Sequence, residues 1–307
     1  MGFLAVSAFG QVSKTLSPYS QFGLGVLADQ SQNSNRGMAG LAIGLRNGQS
    51  VNMLNPASYS AVDSLSFIFD VGVSGQLNNF KEGNTKLNRK TADFDYAVAL
   101  FRVIPHLGVS FGVVPFSNIG YSYTNSVTDQ SLTTISAYSG SGGLSQAYVG
   151  VGGEPVKGLS LGVNISYLWG DITHSLTSTP SESYARVITK SYDATVRSYK
   201  FDFGAQFQQK LGKDDVLTVG ATLGLGHNLG AQSKMVTQVS ETQNGTSFST
   251  TDSIKDAYSI PLTMGFGATL MHKQKLTLGA DYTMQRWGAL DWPDVTSAGY
   301  KLSSGLM

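Results

Sequence analysis

The sequence predicts an all-β fold, a transmembrane antiparallel β-barrel with its N-terminal segment held as a hatch inside the lumen. Three observations carry this. From Leu65 onward, apolar and polar residues alternate with the period of a β-strand. The connections between the alternating segments are short and long by turns. Finally, only 13% of the 307 residues are charged while 36 are Gly, against about 25% and about 7% in soluble domains.

Composition also removes whole classes of function. A hydrophobic content of 41% is not that of a disordered chain. A net charge of +1 with no Lys/Arg cluster does not suit a nucleic-acid binder. No stretch approaches the roughly 18 uninterrupted apolar residues of a membrane helix. A spanning form must therefore be a closed barrel, which satisfies its backbone groups between strands. The absence of Cys removes disulfide and thiolate chemistry and suits an oxidising envelope compartment. At the start, the apolar run 3–9 ends in Ala8-Phe9-Gly10 ahead of Gln11. This reads as the remnant of a secretory signal peptide over 1–10, although no basic residue precedes it; the alternative is the frayed start of a domain.

The first alternating segment, 65–78, places Leu65, Phe67, Phe69, Val71, Val73 and Leu77 on one face. Ser66, Asp70, Gly72, Ser74, Gln76 and Asn78 fall on the other, with Ile68 as the exception. The same period recurs over 96–102, 107–123, 145–153, 159–170, 199–207, 217–225, 258–270 and 276–284, and Tyr300 opens a tenth segment. A soluble β-sandwich alternates as well. Length favours the membrane, since several segments exceed the typical 5 to 6 residues and match the roughly 9 to 11 of a tilted spanning strand. Connections near Pro105-His106 and at 154–158, 211–215 and 272–275 are short, whereas 79–93, 125–143, 175–193, 236–257 and 287–299 read as long outer loops. Inward positions carry Gly, Ser and Thr with Asp70, Asp95, Lys200, Asp202, Asp281, Gln206 and Gln285, as a wet or internally paired face requires. Tyr121, Tyr123, Tyr167, Trp169, Tyr258, Tyr282 and Trp287 fall toward the outer strand ends, where an interfacial girdle belongs.

Catalytic and metal-binding patterns are missing, so the chain reads as a non-enzyme with no metal and no cofactor. His106, His174, His227 and His272 are scattered without ligand spacing and read as surface imidazoles. Gly224-Leu225-Gly226 and Gly140-Ser141-Gly142-Gly143 open no helix, which makes phosphate binding a weak reading. No Gly-x-Ser-x-Gly elbow is present. His174 with a nearby Ser is the one candidate for a barrel-wall hydrolase.

The head of the chain, 11–63, is rich in Gly and Asn and lacks strand period. Its Met, Leu and Ile content is too apolar for a solvated linker. Arg36-Gly37-Met38-Ala39-Gly40 is followed by Asn55-Pro56-Ala57 and, almost at once, by the first strand. This succession, together with the barrel pattern over 64–307, resembles the FadL/TodX family of outer-membrane transporters of hydrophobic compounds. The resemblance implies a Gram-negative outer-membrane barrel of 14 strands, monomeric, with the N-terminal segment as a hatch. It implies passive uptake of long-chain fatty acids or similar apolar molecules, which leave sideways into the lipid through a gap at a kinked third strand. Some relatives act instead as carriers that hold protein cargo in type IX secretion. The nine or ten strands counted here depart from 14, and the expectation is a barrel cut short at its C-terminus.

A physical reason for a kink is visible in the third strand. Pro115 cannot donate to a ladder and implies a bulge or break. Gly112 and Gly120 flank it, and Phe116-Ser117 follow it directly. Either a lateral opening or an ordinary bulge satisfies this pattern. Arg36 or Arg46 could meet a substrate carboxylate or, as we expect, pair with a lumen carboxylate. Fatty acid, aromatic hydrocarbon and other lipids all suit an apolar pocket with few polar anchors.

Overall fold

The computed structural model describes residues 17–64, 66–82, 85–129, 132–182, 185–241, 247–255, 258–273, 275–292, 300–301 and 305–306. The segment expected to be a signal remnant, 1–10, lies outside the described residues, as do 11–16. A thirteen-stranded sheet forms the wall. Its long strands are β1 (Phe67–Glu82), β2 (Thr85–Ile104), β3 (Leu107–Asp129), β4 (Leu132–Val156), β5 (Leu159–Pro180) and β6 (Arg186–Leu211). They continue with β7 (Asp215–Gly224), β8 (Gln232–Glu241), β9 (Ser247–Lys255), β10 (Thr263–His272) and β11 (Leu276–Gln285). The short segments Gly305–Leu306 and, from the N-terminal segment and not itself wall, Val26–Leu27 complete the sheet. Every pairing is antiparallel, in the order β11-β10-β7-β6-β5-β4-β3-β2-β1. Among the described residues no ladder joins β1 to β11.

The wall presents apolar side chains outward. Val73 is 77% exposed and Leu77 74%; Phe69, Val149, Ile165, Phe203, Phe266 and Leu278 follow the same rule. The inward positions of the same strands bury Ser110, Gln146, Ser160, Asn164 and Gln206. This is the inside-out polarity of a membrane barrel, whose solvent on the outer face is lipid.

The sequence count of nine or ten strands is too low because the expected outer loop 236–257 holds most of two further strands, β8 and β9; three other expected outer loops are largely strand as well. Within 79–93, 125–143 and 175–193 the described residues, apart from Ser181, Glu182 and Ala185, continue the strands: β1 runs to Glu82 and β2 starts at Thr85, β3 runs to Asp129 and β4 starts at Leu132, β5 runs to Pro180 and β6 starts at Arg186. Above the membrane neither face of a strand needs to be apolar. The alternation fades there while main-chain pairing and Thr- and Tyr-rich β propensity carry the ladder on. The stretch 236–257 is likewise a hairpin, β8 with β9.

The last strand pattern before β11 also starts later than its alternation. Tyr258 to Leu262 is not wall. After β7 the chain leaves the sheet, and His227–Asn228 pairs with Ser259–Ile260 inside the lumen. The chain then returns as β8, which takes over the outer half of β6 from Arg186 to Thr195, while β7 pairs the inner half from Asp202 to Leu211. Leu229, Tyr258 and Ile260 are thereby buried in the outer lumen. Tyr121 and Tyr258 sit in this inner cluster, and Trp287 packs against it; they are not part of a girdle. The outward aromatics are Tyr167, stacked on Trp169 with ring centroids 5.9 Å apart, together with Tyr199 and Tyr282. Parity fails for Tyr121 because β3 carries a bulge between Pro115 and Ser117. One extra residue exchanges the faces of all that follows.

Candidate functional site

The N-terminal segment 17–64, expected from the sequence to be a hatch and called so below, is held by two rows of residues on the inner wall. In the first row Gly108, Gly152, Gly162 and Gly204 stand directly opposite one another across β3, β4, β5 and β6. A Cβ at Gly108 would lie 2.1 Å from the Tyr59 carbonyl oxygen, and one at Gly152 2.2 Å from that of Pro56. At Gly162 it would meet the Pro56 carbonyl carbon at 2.4 Å, and at Gly204 the Asn55 Oδ1 at 2.1 Å. The hatch backbone thus lies on bare main chain, a close approach that only Gly permits.

The second row is polar. Ser160, Gln206, Gly220, Gly267 and Asp281 are in register across β5, β6, β7, β10 and β11. Asp281 Oδ2 accepts from the Ala42 and Ile43 amides at 2.7 and 2.8 Å. Gln206 Nε2 donates to the Ile43 and Leu45 carbonyls, each at 3.0 Å. Ser160 binds Arg46 and Ser60.

Asn55-Pro56-Ala57 is the centre of the hatch. Asn55 caps the 3-10 turn Pro56–Ala61 by accepting from the Ala57 amide at 3.2 Å. Pro56 occupies the first position of the turn, where a missing N–H costs nothing. The other end of the Asn55 amide donates to the Ile43 carbonyl at 2.7 Å. Tyr59 donates to Asn164 at 3.0 Å, and full burial, with Tyr148 close by, pushes its hydroxyl well above the ordinary tyrosine pKa. It is a neutral donor at any physiological pH.

Both hatch arginines are engaged. Arg36 Nη1 meets Asp95 at 2.6 Å, Nε lies 3.4 Å from Asp29, and the guanidinium lies over the Tyr96 ring. Burial opposes its charge, but the hydrogen bond and charge of Asp95 more than offset this and raise its pKa. Arg46 meets Glu154 at 2.9 Å; burial pulls its pKa down and Glu154 partly restores it. Beside this pair, at the turns joining β2 to β3 and β4 to β5, lies a polar cavity of about 360 Å³ lined by Arg46, Ser60, Asp63, Arg102 and His106. A Cβ at Gly37 would meet nothing within 4 Å, so this glycine is not part of the socket.

Around Pro115 the wall changes character. The β2–β3 ladder begins at the inner turn and ends at Ala97–Val113. Above that level β3 pairs instead with the hatch: Val26 stands opposite Asn118 and Leu27 opposite Ser117. The Ala28 amide donates to the Phe116 carbonyl at 2.9 Å, and the Ser17 amide to the Gly120 carbonyl at 3.0 Å. Gln30 Nε2 donates to the Pro115 carbonyl at 2.6 Å. Register across β4, β5 and β6 aligns Val113 with Ala147, Tyr167 and Tyr199, so the ladder stops at the outer aromatic level. Gly112 lies below the break and is paired on both sides, with Val98 and Tyr148, so it does not loosen the wall. Phe116 packs against the inner cluster of Leu24, Ile119, Leu144, Leu168 and Tyr192.

The histidines do not form a centre. His174 is 7% exposed, not a surface imidazole, and its Nδ1 lies 2.7 Å from the Tyr121 hydroxyl. It is turned inward by the same even parity that buries Ile172 and Leu168. His272 pairs with Asp215 at 2.6 Å and His106 Nδ1 lies 3.5 Å from Glu154.

The sequence matches the BamG family over residues 1–304. The chain belongs to the BamG family. Among curated proteins none matches its sequence. Among solved structures, the crystal structure of the toluene transporter TodX of P. putida is similar, with a TM-score of 0.56 and 15% identity, covering 88% of this chain and 71% of that one. The similarity is one of fold, that of a FadL-like barrel, which this BamG-family chain therefore shares. The glycine row escapes a reading of the sequence alone. Its signal is the equal, inward parity of glycines close to each short turn.

Two substitutions test the socket. Gly204→Val should destabilise the folded barrel by roughly 1–3 kcal/mol through overpacking, read as a lowered urea midpoint in micelles, whereas Gly37→Ala should shift it by less than about 0.5 kcal/mol. Asn55→Ala, which removes a cap and a buried donor, should cost about 1–3 kcal/mol and expose the 17–64 segment to limited proteolysis before the wall is cut.

Proposed function

We propose that this protein is an outer-membrane barrel that takes up uncharged hydrophobic small molecules and releases them sideways through the break between β2 and β3. One observation carries this: the apolar cluster of the outer lumen reaches the wall at Phe116, just where the β2–β3 ladder ends. The inner half of the lumen offers no comparable route, because the hatch is bolted there to four glycines and a polar row. Passage then needs only the 17–30 segment to leave the break, while the body of the hatch stays seated. The likeness in fold to a toluene transporter supports the same direction.

Charge favours an uncharged cargo over a fatty acid. Arg36 and Arg46 are each committed to a carboxylate of the wall, Asp95 and Glu154. A substrate carboxylate would have to displace one of them from its arginine, which costs more at the largely buried Arg46–Glu154 pair than at the partly exposed Arg36–Asp95 pair. A non-enzymatic, diffusive role follows.

A second reading, a carrier that holds protein cargo at the outer membrane, is favoured by the packed outer lumen, into which 225–231 and 258–262 fold.

The test is flux into liposomes carrying the purified protein. Labelled toluene should enter faster than through protein-free liposomes, and labelled oleate should not. Pro115→Val, which restores a ladder donor at the bulge, should return toluene flux to the protein-free background. Undiminished flux in that variant removes the lateral route, and no flux in the wild type favours the carrier.

A further inference from the structure

The break in the wall is closed by a strand that is not a wall strand, and that strand pairs poorly. The hatch follows β3 from Ala28, opposite Phe116, to Ser17, opposite Gly120, and among the described residues only Val26–Leu27 forms a regular ladder with it. The remainder is interrupted by the 3-10 turn Pro18–Gln21 and by Gly23 and Gly25, both at positive φ (60° and 86°). At Gly120 the amide is met by the side chain of Ser20 and not by a strand carbonyl. At Pro115 the carbonyl is met by the side chain of Gln30. Each is a substitute for the main-chain partner that a regular strand would supply.

We propose that the outer half of β3 is a docking edge for an extended segment of another polypeptide, which enters by strand exchange with residues 17–30. Antiparallel addition of a strand to a sheet edge draws its affinity from main-chain hydrogen bonds and its selectivity from pockets for alternate side chains. Both are present. The edge already accepts a strand in antiparallel register, at Val26–Asn118 and Leu27–Ser117. The pocket already accepts one apolar side chain, Leu24, which is 2% exposed among Ile119, Leu144 and Leu168. The flanking positions are served by uncharged polar groups: Gln21 binds Tyr123, and Gln30 binds Gln146. The partner is therefore an extended segment that is uncharged where it faces β3, with an apolar residue on its inward face. Gly120 and the bulge place the edge at and above the outer aromatic level, where an incoming chain arrives from water and not from hydrocarbon. The native strand is tethered, so its high effective concentration excludes weak competitors and holds the break shut until a better-pairing segment arrives. This inference shares with the small-molecule route the release of residues 17–30 from β3, but peptide binding and toluene flux are read separately, so the failure of one is distinguishable from the failure of the other.

The chain has no Cys, which makes a lock clean to install. Two substitutions loosen the native strand by different means. Ala28→Pro removes the amide that bonds Phe116. Gly25→Val places a branched side chain where a Cβ would already lie 2.4 Å from Ile119 Cγ1 and 2.5 Å from the Asn118 carbonyl. The lock is V26C with N118C, at directly opposed positions, carried together with Ala28→Pro. The probe is a fluorescein-labelled synthetic peptide of residues 17–30, measured by anisotropy on full-length protein in detergent micelles. We expect at least about tenfold tighter binding to each loosened variant than to the wild type. Oxidation of the locked protein should abolish binding and reduction should restore it. Equal binding to wild-type, loosened and oxidised proteins, or none to either loosened variant, overturns the proposal.

Discussion

A folded segment can occupy the inside of a barrel only where the barrel gives up its own side chains, and that constraint organises this molecule. Four glycines in one ladder row remove the inner surface of β3 to β6 down to main chain. The Asn55-Pro56 turn fills the space, with carbonyls and amides of the two partners close together. Such a contact is all polar main chain, so it is stable only if every group finds a partner. The neighbouring row supplies further partners: Asp281 and Gln206 meet main-chain groups of Ala42, Ile43 and Leu45, and Ser160 meets Arg46 and Ser60. Four of the chain's 36 glycines are the imprint of this one fit.

The lumen is consequently divided by chemistry. Its inner half is polar and closed, with charges neutralised pairwise at Arg36–Asp95 and Arg46–Glu154. Its outer half is apolar, built from side chains that the bulge at Phe116 and the inward fold of 225–231 bring together. The two halves meet at the aromatic level, where the wall itself is interrupted. Both arginines of the N-terminal segment are thus tied to wall carboxylates in the polar half, away from the apolar cluster.

How much of this the sequence could show depends on which solvent each residue meets. In the membrane zone one face must be apolar, so alternation is strict and segments such as 159–170 stand out. Above it no lipid demands an apolar outer face, and the outer halves of β3 to β6 read as loops although they remain paired. Pro115 announces an irregularity at the right place, but not its effect: the extra residue turns Tyr121 inward, and no local property of Tyr121 reveals that. The inward segment around Leu229 and Tyr258 carries strand-like alternation too, and only Pro261 hints that it leaves the wall. Arg36 and Arg46 could be expected to find carboxylates; that these would be Asp95 and Glu154 is a matter of register between distant strands.

The bond from Asp281 to the Ala42 and Ile43 amides joins residues separated by 239 and 238 positions. The hatch is therefore made first and seated last. During synthesis and export its polar face has no wall to bind, and its apolar residues have no lumen to enter. Contacts so distant in sequence form slowly, which leaves a long interval in which the N-terminal segment is the most vulnerable part of the chain. Assembly must keep the curling sheet open until that segment is inside, because a wall that closes early shuts out its own plug.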